Sequence, residues 1–91
     1  MTSKQVFFSG HVQGVGFRYT VKQIAKGFDV VGWVRNLSDG RVELQATGED
    51  NELAAFLAAI GESELRSHIK ERHEHPVEQP AATRGFEIRH D

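Results

Sequence analysis

The sequence predicts an α+β domain, a mostly antiparallel sheet with two helices packed on one face. Two patterns carry this. In three segments apolar residues recur at every second position, the period of a half-buried strand. In two others they fall at i, i+3, i+4 and i+7, the stripe of a helix facing a core. The chain has 91 residues, 38 % of them hydrophobic, which suits one small domain spanning residues 1–91.

The elements follow in order. Val6, Phe8, Gly10 and Val12 alternate, so residues 5–12 read as a first strand. Val21, Ile24, Ala25 and Phe28 form a helical stripe, with Gly27 as its stop signal. Residues 30–36 read as a second strand, and Leu37-Ser38-Asp39-Gly40 as a turn. Val42, Leu44 and Ala46 alternate in a third strand that pairs with the second as a hairpin. Asp50 is placed to cap a second helix carrying Leu53, Phe56, Leu57 and Ile60, and Leu65 offers a further turn. Residues 68–75 are a polar strand suited to a sheet edge. Pro76 to Gly85 reads as a loop, and Gly85 to Arg89 as a short final strand. The order is βαββαβ, the ferredoxin-like arrangement, with a short extra C-terminal strand. In it the first and third strands pair centrally and the second lies beside the third. That fold hosts many functions, so function must come from a site.

Composition excludes several classes. Cysteine is absent, which removes disulfides, thiolate nucleophiles and cysteine-ligated zinc. No apolar run approaches the ~18–20 residues of a membrane span. The apolar stretch Val6–Phe8 is too short for a secretory signal, so a cytoplasmic location is expected by default, and a monomer is the default for so small an acidic domain. Net charge is −2, against general nucleic-acid binding. Residues 1–45 nevertheless carry +3 and residues 46–91 carry −5, so an anion is drawn to the first half. On charge alone, ordinary surface variation explains that asymmetry slightly better.

Chemistry concentrates in residues 10–18, Gly-His-Val-Gln-Gly-Val-Gly-Phe-Arg. They join the first strand to the first helix. Gly14 and Gly16 allow left-handed angles and close approach of a ligand. The free N–H groups at the helix start face this loop, an anion site by construction. Arg18 adds a guanidinium able to grip two phosphate oxygens. No Gly-Lys-Ser/Thr follows, so this is not a nucleotide P-loop; Tyr19 occupies the place of the dinucleotide fingerprint's third glycine. Asn36 ends the second strand, where its amide could orient a water molecule or satisfy its own turn.

These residues resemble the acylphosphatases. One family pattern is Gly, any residue, Val or Ile, Gln-Gly-Val, any residue, Phe or Tyr, Arg; Gly10 to Arg18 match it throughout. The second is matched by Gly32, Trp33, Val34, Arg35, Asn36, Gly40, Val42 and Gly48. The resemblance runs from about residue 5 to 60 and returns at residues 85–89. Between Gly61 and Arg84 it weakens, with Arg72 where the family commonly has an apolar residue.

The resemblance implies hydrolysis of an acyl phosphate to a carboxylate and inorganic phosphate, without metal or other cofactor. It implies that Arg18 binds the phosphoryl group and that the amides of Gly14, Val15, Gly16, Phe17 and Arg18 line its cradle. Asn36 would orient the attacking water. The alternatives are a non-catalytic anion-binding module of the same fold and, more remotely, an RNA-binding sheet using Phe7, Phe17, Tyr19 and Trp33. His73 and His75 would share a strand face and His68 the other, too few ligands together for a structural metal site. His11 reads as a surface strand residue opposite Val12.

Overall fold

The computed structural model describes residues 1–78 and 84–90; within them lie five strands and two α-helices. The strands are β1 (Thr2–Gly10), β2 (Val30–Asn36), β3 (Val42–Gly48), β4 (Ile69–Pro76) and β5 (Phe86–Arg89), and the helices α1 (Phe17–Ala25) and α2 (Asp50–Glu62). The sheet order is β4-β1-β3-β2-β5. Pairing is antiparallel except between β2 and β5, which run parallel. The expected ferredoxin-like α+β architecture is therefore present, with the extra strand appended beside β2 in a mixed sheet.

Register explains the core. Val6, Leu44 and Val34 form one row across β1, β3 and β2, and all three are fully buried. Phe8, Val42 and Asn36 form the next row, towards the C-terminal ends of β1 and β2. The helices cover this face with Phe17, Val21 and Ala25 from α1 and Leu53, Phe56, Leu57 and Ile60 from α2. Burying each of the larger side chains stabilises the fold by about 1.5–3 kcal/mol relative to exposure.

Several boundaries differ from the sequence reading. β1 spans residues 2–10, not 5–12: its register breaks at Ser9/Gly10 and the chain turns into the loop. His11 is thus a loop residue, its N–H donating to the His68 carbonyl at 3.0 Å. α1 stops at Ala25; Gly27 is not a left-handed stop, because the last turn closes through Gly27 N–H to Ile24 O at 3.0 Å and Phe28 N–H to Ala25 O at 3.1 Å. Phe28 still reaches the core, its ring 6.0 Å from that of Phe56. The α2 N-cap is Glu49; Asp50 is the first helical residue, and its carboxylate accepts from the Thr2 hydroxyl instead.

Leu65 does not extend α2. Ser63 adopts extended angles, and its Oγ accepts from Leu65 N–H at 3.1 Å, starting a 3₁₀ helix over Glu64–His68. Leu65 is buried there, and His68 lies in that helix rather than on the strand. β4 is an edge strand, as its polarity suggests, and includes Pro76. Arg72 is paired opposite Phe8. Its guanidinium donates to the Leu57 carbonyl of α2 at 2.9 Å and pairs with Glu74 at 2.6 Å, so a long side chain fills a position that an apolar one could take. Residues 79–83 of the expected loop lie outside the described residues.

The other sheet face is held by cations over rings. Trp33 is 5 % exposed, between the guanidinium groups of Arg35 at 5.2 Å and Arg89 at 4.7 Å. Glu43 is buried too and accepts from Gln5 at 2.5 Å and Arg35 at 2.8 Å, so its charge is paired. Among the described residues, no helix is long and apolar enough to cross a membrane.

Gly32 marks the tightest backbone approach. A Cβ there would lie 1.9 Å from the Gln45 carbonyl oxygen, and its φ is 153°. Gly32→Ala is expected to cost at least about 2 kcal/mol through overpacking and strain. Gly27→Ala, with its nearest neighbour at 3.5 Å and no positive φ, should be neutral or gain about 0.4–1 kcal/mol. Urea unfolding of the two variants checks the contrast; equal midpoints would refute the packing argument.

Candidate active site

Six residues, 11–16, carry the chain from β1 into α1. Gly14 (φ 78°) and Gly16 (φ 75°) take left-handed angles, and a Cβ on either would meet nothing within 4 Å. Backbone conformation, not crowding, is thus what favours glycine here. Gly16 is the N-cap of α1 and has no side chain to cap it. The first intrahelical bond runs from Thr20 N–H to Gly16 O at 3.0 Å. The amides of Phe17, Arg18 and Tyr19 precede it and point out of the helix end. No acidic residue occupies the first turn to neutralise them. Together with the helix dipole they favour an anion.

The loop opens onto a cavity of about 200 Å³. Gly14, Gly16 and Arg18 line it together with Asn36. Asn36 arrives there because it shares the Phe8–Val42 row and hence the helix-facing side of the sheet. The two side chains singled out from sequence, 18 residues apart in the chain, therefore border one space. Val12, Phe17 and Ile88 supply its apolar wall, and Tyr19 and His90 stand at its rim. Val15 is not among the lining residues; its side chain packs against the core.

Arg18 is half-buried and held from behind. Its Nη1 donates to the Arg89 carbonyl at 3.1 Å and lies 3.2 Å from His90 Nδ1. Among the described residues those contacts use Nη1, leaving Nε and Nη2 as a two-pronged edge of the kind that suits a pair of anionic oxygens. β5 thus forms part of the site, a contribution not read from the sequence. Its signal was the Phe86/Ile88 alternation, which shows a strand without showing its parallel pairing to β2.

The hairpin beyond Asn36 is braced as well. Leu37 N–H donates to Arg41 O at 2.8 Å, and Asp39 accepts from Arg41 N–H at 3.1 Å and Arg41 Nε at 2.8 Å. The Arg41 backbone N–H, and then its guanidinium, hold the Asp39 carboxyl below its ordinary pKa. Gln13 ties this hairpin to the loop, its Nε2 donating to Leu37 O at 2.8 Å and Arg41 O at 2.9 Å. Of the four rings in the stacking reading, Phe17 and Trp33 are buried, the Arg41 guanidinium covers Phe7 at 4.7 Å, and Tyr19 is exposed but lies on α1 and not on the sheet.

The fold and the cavity define a small α+β domain in which a helix start favourable to anions, an arginine and an amide border one space. The acylphosphatase family model matches residues 4–88. An acylphosphatase of Haloarcula marismortui is 41 % identical over 88 residues, covering 97 % of this chain and 96 % of that one. The crystal structure of an acylphosphatase from Bacillus subtilis superposes with a TM-score of 0.86 at 34 % identity, covering 97 % and 98 % of the two chains. The structure of HypF from T. kodakarensis also matches, with a TM-score of 0.84 at 26 % identity, but over 12 % of that longer chain. The chain belongs to the acylphosphatase family, enzymes that hydrolyse acyl phosphates.

Inorganic phosphate is expected to shift the amide resonances of Gly14, Gly16 and Arg18, with the effect weakening as salt is raised. Arg18→Ala should abolish the response. Shifts confined to other surfaces would place the anion site elsewhere.

Proposed function

We propose that the cavity is where acyl phosphate is hydrolysed, with Arg18 and Asn36 as its catalytic residues. The observation that carries this is their convergence on one cavity at the start of α1. In this reading the amides of Gly14, Val15, Gly16, Phe17 and Arg18 and the guanidinium of Arg18 hold the phosphoryl oxygens. The Asn36 amide holds a water on the side opposite the leaving group.

The water oxygen attacks phosphorus while the bond from phosphorus to the acyl oxygen breaks. A carboxylate leaves, and the water's proton passes to an oxygen of the transferred phosphoryl group. A carboxylate leaves readily, so the reaction needs no strong general acid. Phosphoryl transfer through a loose transition state depends mainly on positioning and charge stabilisation. Guanidinium and amides supply both, so the reading requires no metal or other cofactor. The chain acts as a cytoplasmic monomer in this reading, with acyl phosphate as its small-molecule partner and inorganic phosphate as product.

A second reading is favoured by the HypF match, in which this fold occupies a small part of a much longer chain. In that reading the cradle of this chain would bind an anion without turnover. The presence of both Arg18 and Asn36 supports the enzyme, because anion binding alone has no use for a water-holding amide.

Benzoyl phosphate hydrolysis in the presence of EDTA separates the two. Wild type should turn over, and Arg18→Ala and Asn36→Ala should each lose at least ~100-fold, or ~3 kcal/mol, the scale of one lost oxyanion donor. Asn36→Ala should leave the inhibition constant for phosphate nearly unchanged, whereas Arg18→Ala should raise it strongly. Arg18→Lys should not recover activity, since a point charge lacks the fork. Folded wild type without turnover would leave the binding module standing.

A further inference from the structure

We infer that Gln13 is a positioning residue for turnover, setting where Asn36 stands relative to the phosphate cradle. The inference rests on the role proposed for Asn36 above.

Gln13 lies in the loop that forms the cradle, yet it is not among the residues lining the cavity. Its side chain turns to the β2–β3 hairpin, where Nε2 donates to two carbonyls, Leu37 O at 2.8 Å and Arg41 O at 2.9 Å. Those carbonyls flank the turn, and Leu37 directly follows Asn36. The turn's own bonds are already made: Leu37 O accepts from Gly40 N–H at 3.2 Å, and Arg41 O accepts from Leu37 N–H at 2.8 Å. Gln13 therefore occupies second lone pairs on oxygens that already have partners. Without Gln13 neither carbonyl is left unpaired, so the link adds little to the stability of the turn.

What the link adds is geometry. One amide nitrogen bonded to two points fixes both the distance and the rotation of the hairpin relative to the loop. The two segments are 24 and 28 residues apart in sequence and otherwise meet through the sheet. In the proposed reaction they carry different parts, the phosphoryl group on the loop and the water on the hairpin. In-line attack requires both within narrow limits, and a displacement of about 1 Å can cost on the order of 100-fold in rate. The residue type follows from the partners. A carboxylate of the same length would face two carbonyl oxygens and place a negative charge beside an anion site. Asparagine is one methylene short of reaching both.

The test is a double-mutant cycle on benzoyl phosphate hydrolysis, with Gln13→Met (similar length, no donor) and Asn36→Ala, singly and together. Gln13→Met alone should lower kcat about 10-fold, with KM, the phosphate inhibition constant and the urea midpoint little changed. In the Asn36→Ala background the same change should lower kcat less than about 2-fold, because the group it positions is gone. Gln13→Asn, which retains an amide, should behave like Gln13→Met and serves if the methionine variant does not fold. Equal losses in both backgrounds, or an unchanged kcat in the single variants, would overturn the inference while leaving the Asn36 assignment intact. Wild-type turnover by Asn36→Ala would instead remove the Asn36 assignment, and this inference with it.

Discussion

At Gly16 the chain turns from loop to helix with φ 75° and ψ 23°, and much of the site's organisation follows from that step. A left-handed N-cap aims the first amides of α1 away from the helix body, towards the space where β1 ends. The helix must also bury Phe17, Val21 and Ala25 on the sheet, so its axis is fixed by the core. The anion-favouring end thus inherits its orientation from hydrophobic packing. Arg18 is the next residue after buried Phe17, and this adjacency puts its guanidinium at the cavity edge, where the Arg89 carbonyl holds it.

The sheet performs the same service for Asn36. Strand periodicity sends residues 30, 32, 34 and 36 to one face; Val30 and Val34 are buried there, and Gly32 lets β3 approach closely. Asn36 is the end of that inward row, where burial fades and a polar side chain can stand at a cavity instead of in the core. The opposite face shows how the fold carries charge across a β-surface. Arg35 and Arg89 cover the Trp33 ring, and Arg35 also pairs with buried Glu43. Those arginines serve packing. Their proximity to the site does not by itself give them a part in its chemistry.

Periodicity and turn residues made the architecture legible, because the alternation of Val6 and Phe8, or of Val42, Leu44 and Ala46, has one solution when a single face is buried. Arg18 and Asn36 were legible from the spacing of their motifs, and the sheet row then accounts for their meeting. Other features depended on hydrogen bonds that apolar periodicity does not encode. Gly27 looks like a stop, but α1 is closed by ordinary backbone bonds. Leu65 continues the helical stripe, but the Ser63 hydroxyl captures its amide and breaks the helix. Asp50 has the chemistry of a cap, yet its carboxylate meets the Thr2 hydroxyl at the start of β1. In the first two cases a bond within the next turn decided, and in the third a contact with a strand 48 residues away.

β5 illustrates a division of labour within the site. It is four residues long, and its partner in the sheet is β2. So short a strand adds modest stability, but its parallel register with β2 brings Arg89 beside Arg35 and carries the chain past the open end of the cavity. The Arg89 carbonyl then accepts from Arg18 Nη1. A guanidinium anchored through one nitrogen loses little further conformational freedom when an anion arrives, because part of that entropy was lost on folding. On the reading proposed here, Arg18 binds through its remaining edge, while Asn36 and the Gln13 link bear on the direction of attack. Affinity for the phosphoryl group and alignment of the water are then set by different contacts, one made by the C-terminal strand and the other by the hairpin. The weaker family resemblance between Gly61 and Arg84 falls, among the described residues, on the end of α2, the 3₁₀ helix and β4. Among the described residues, none of those lining the cavity comes from that stretch.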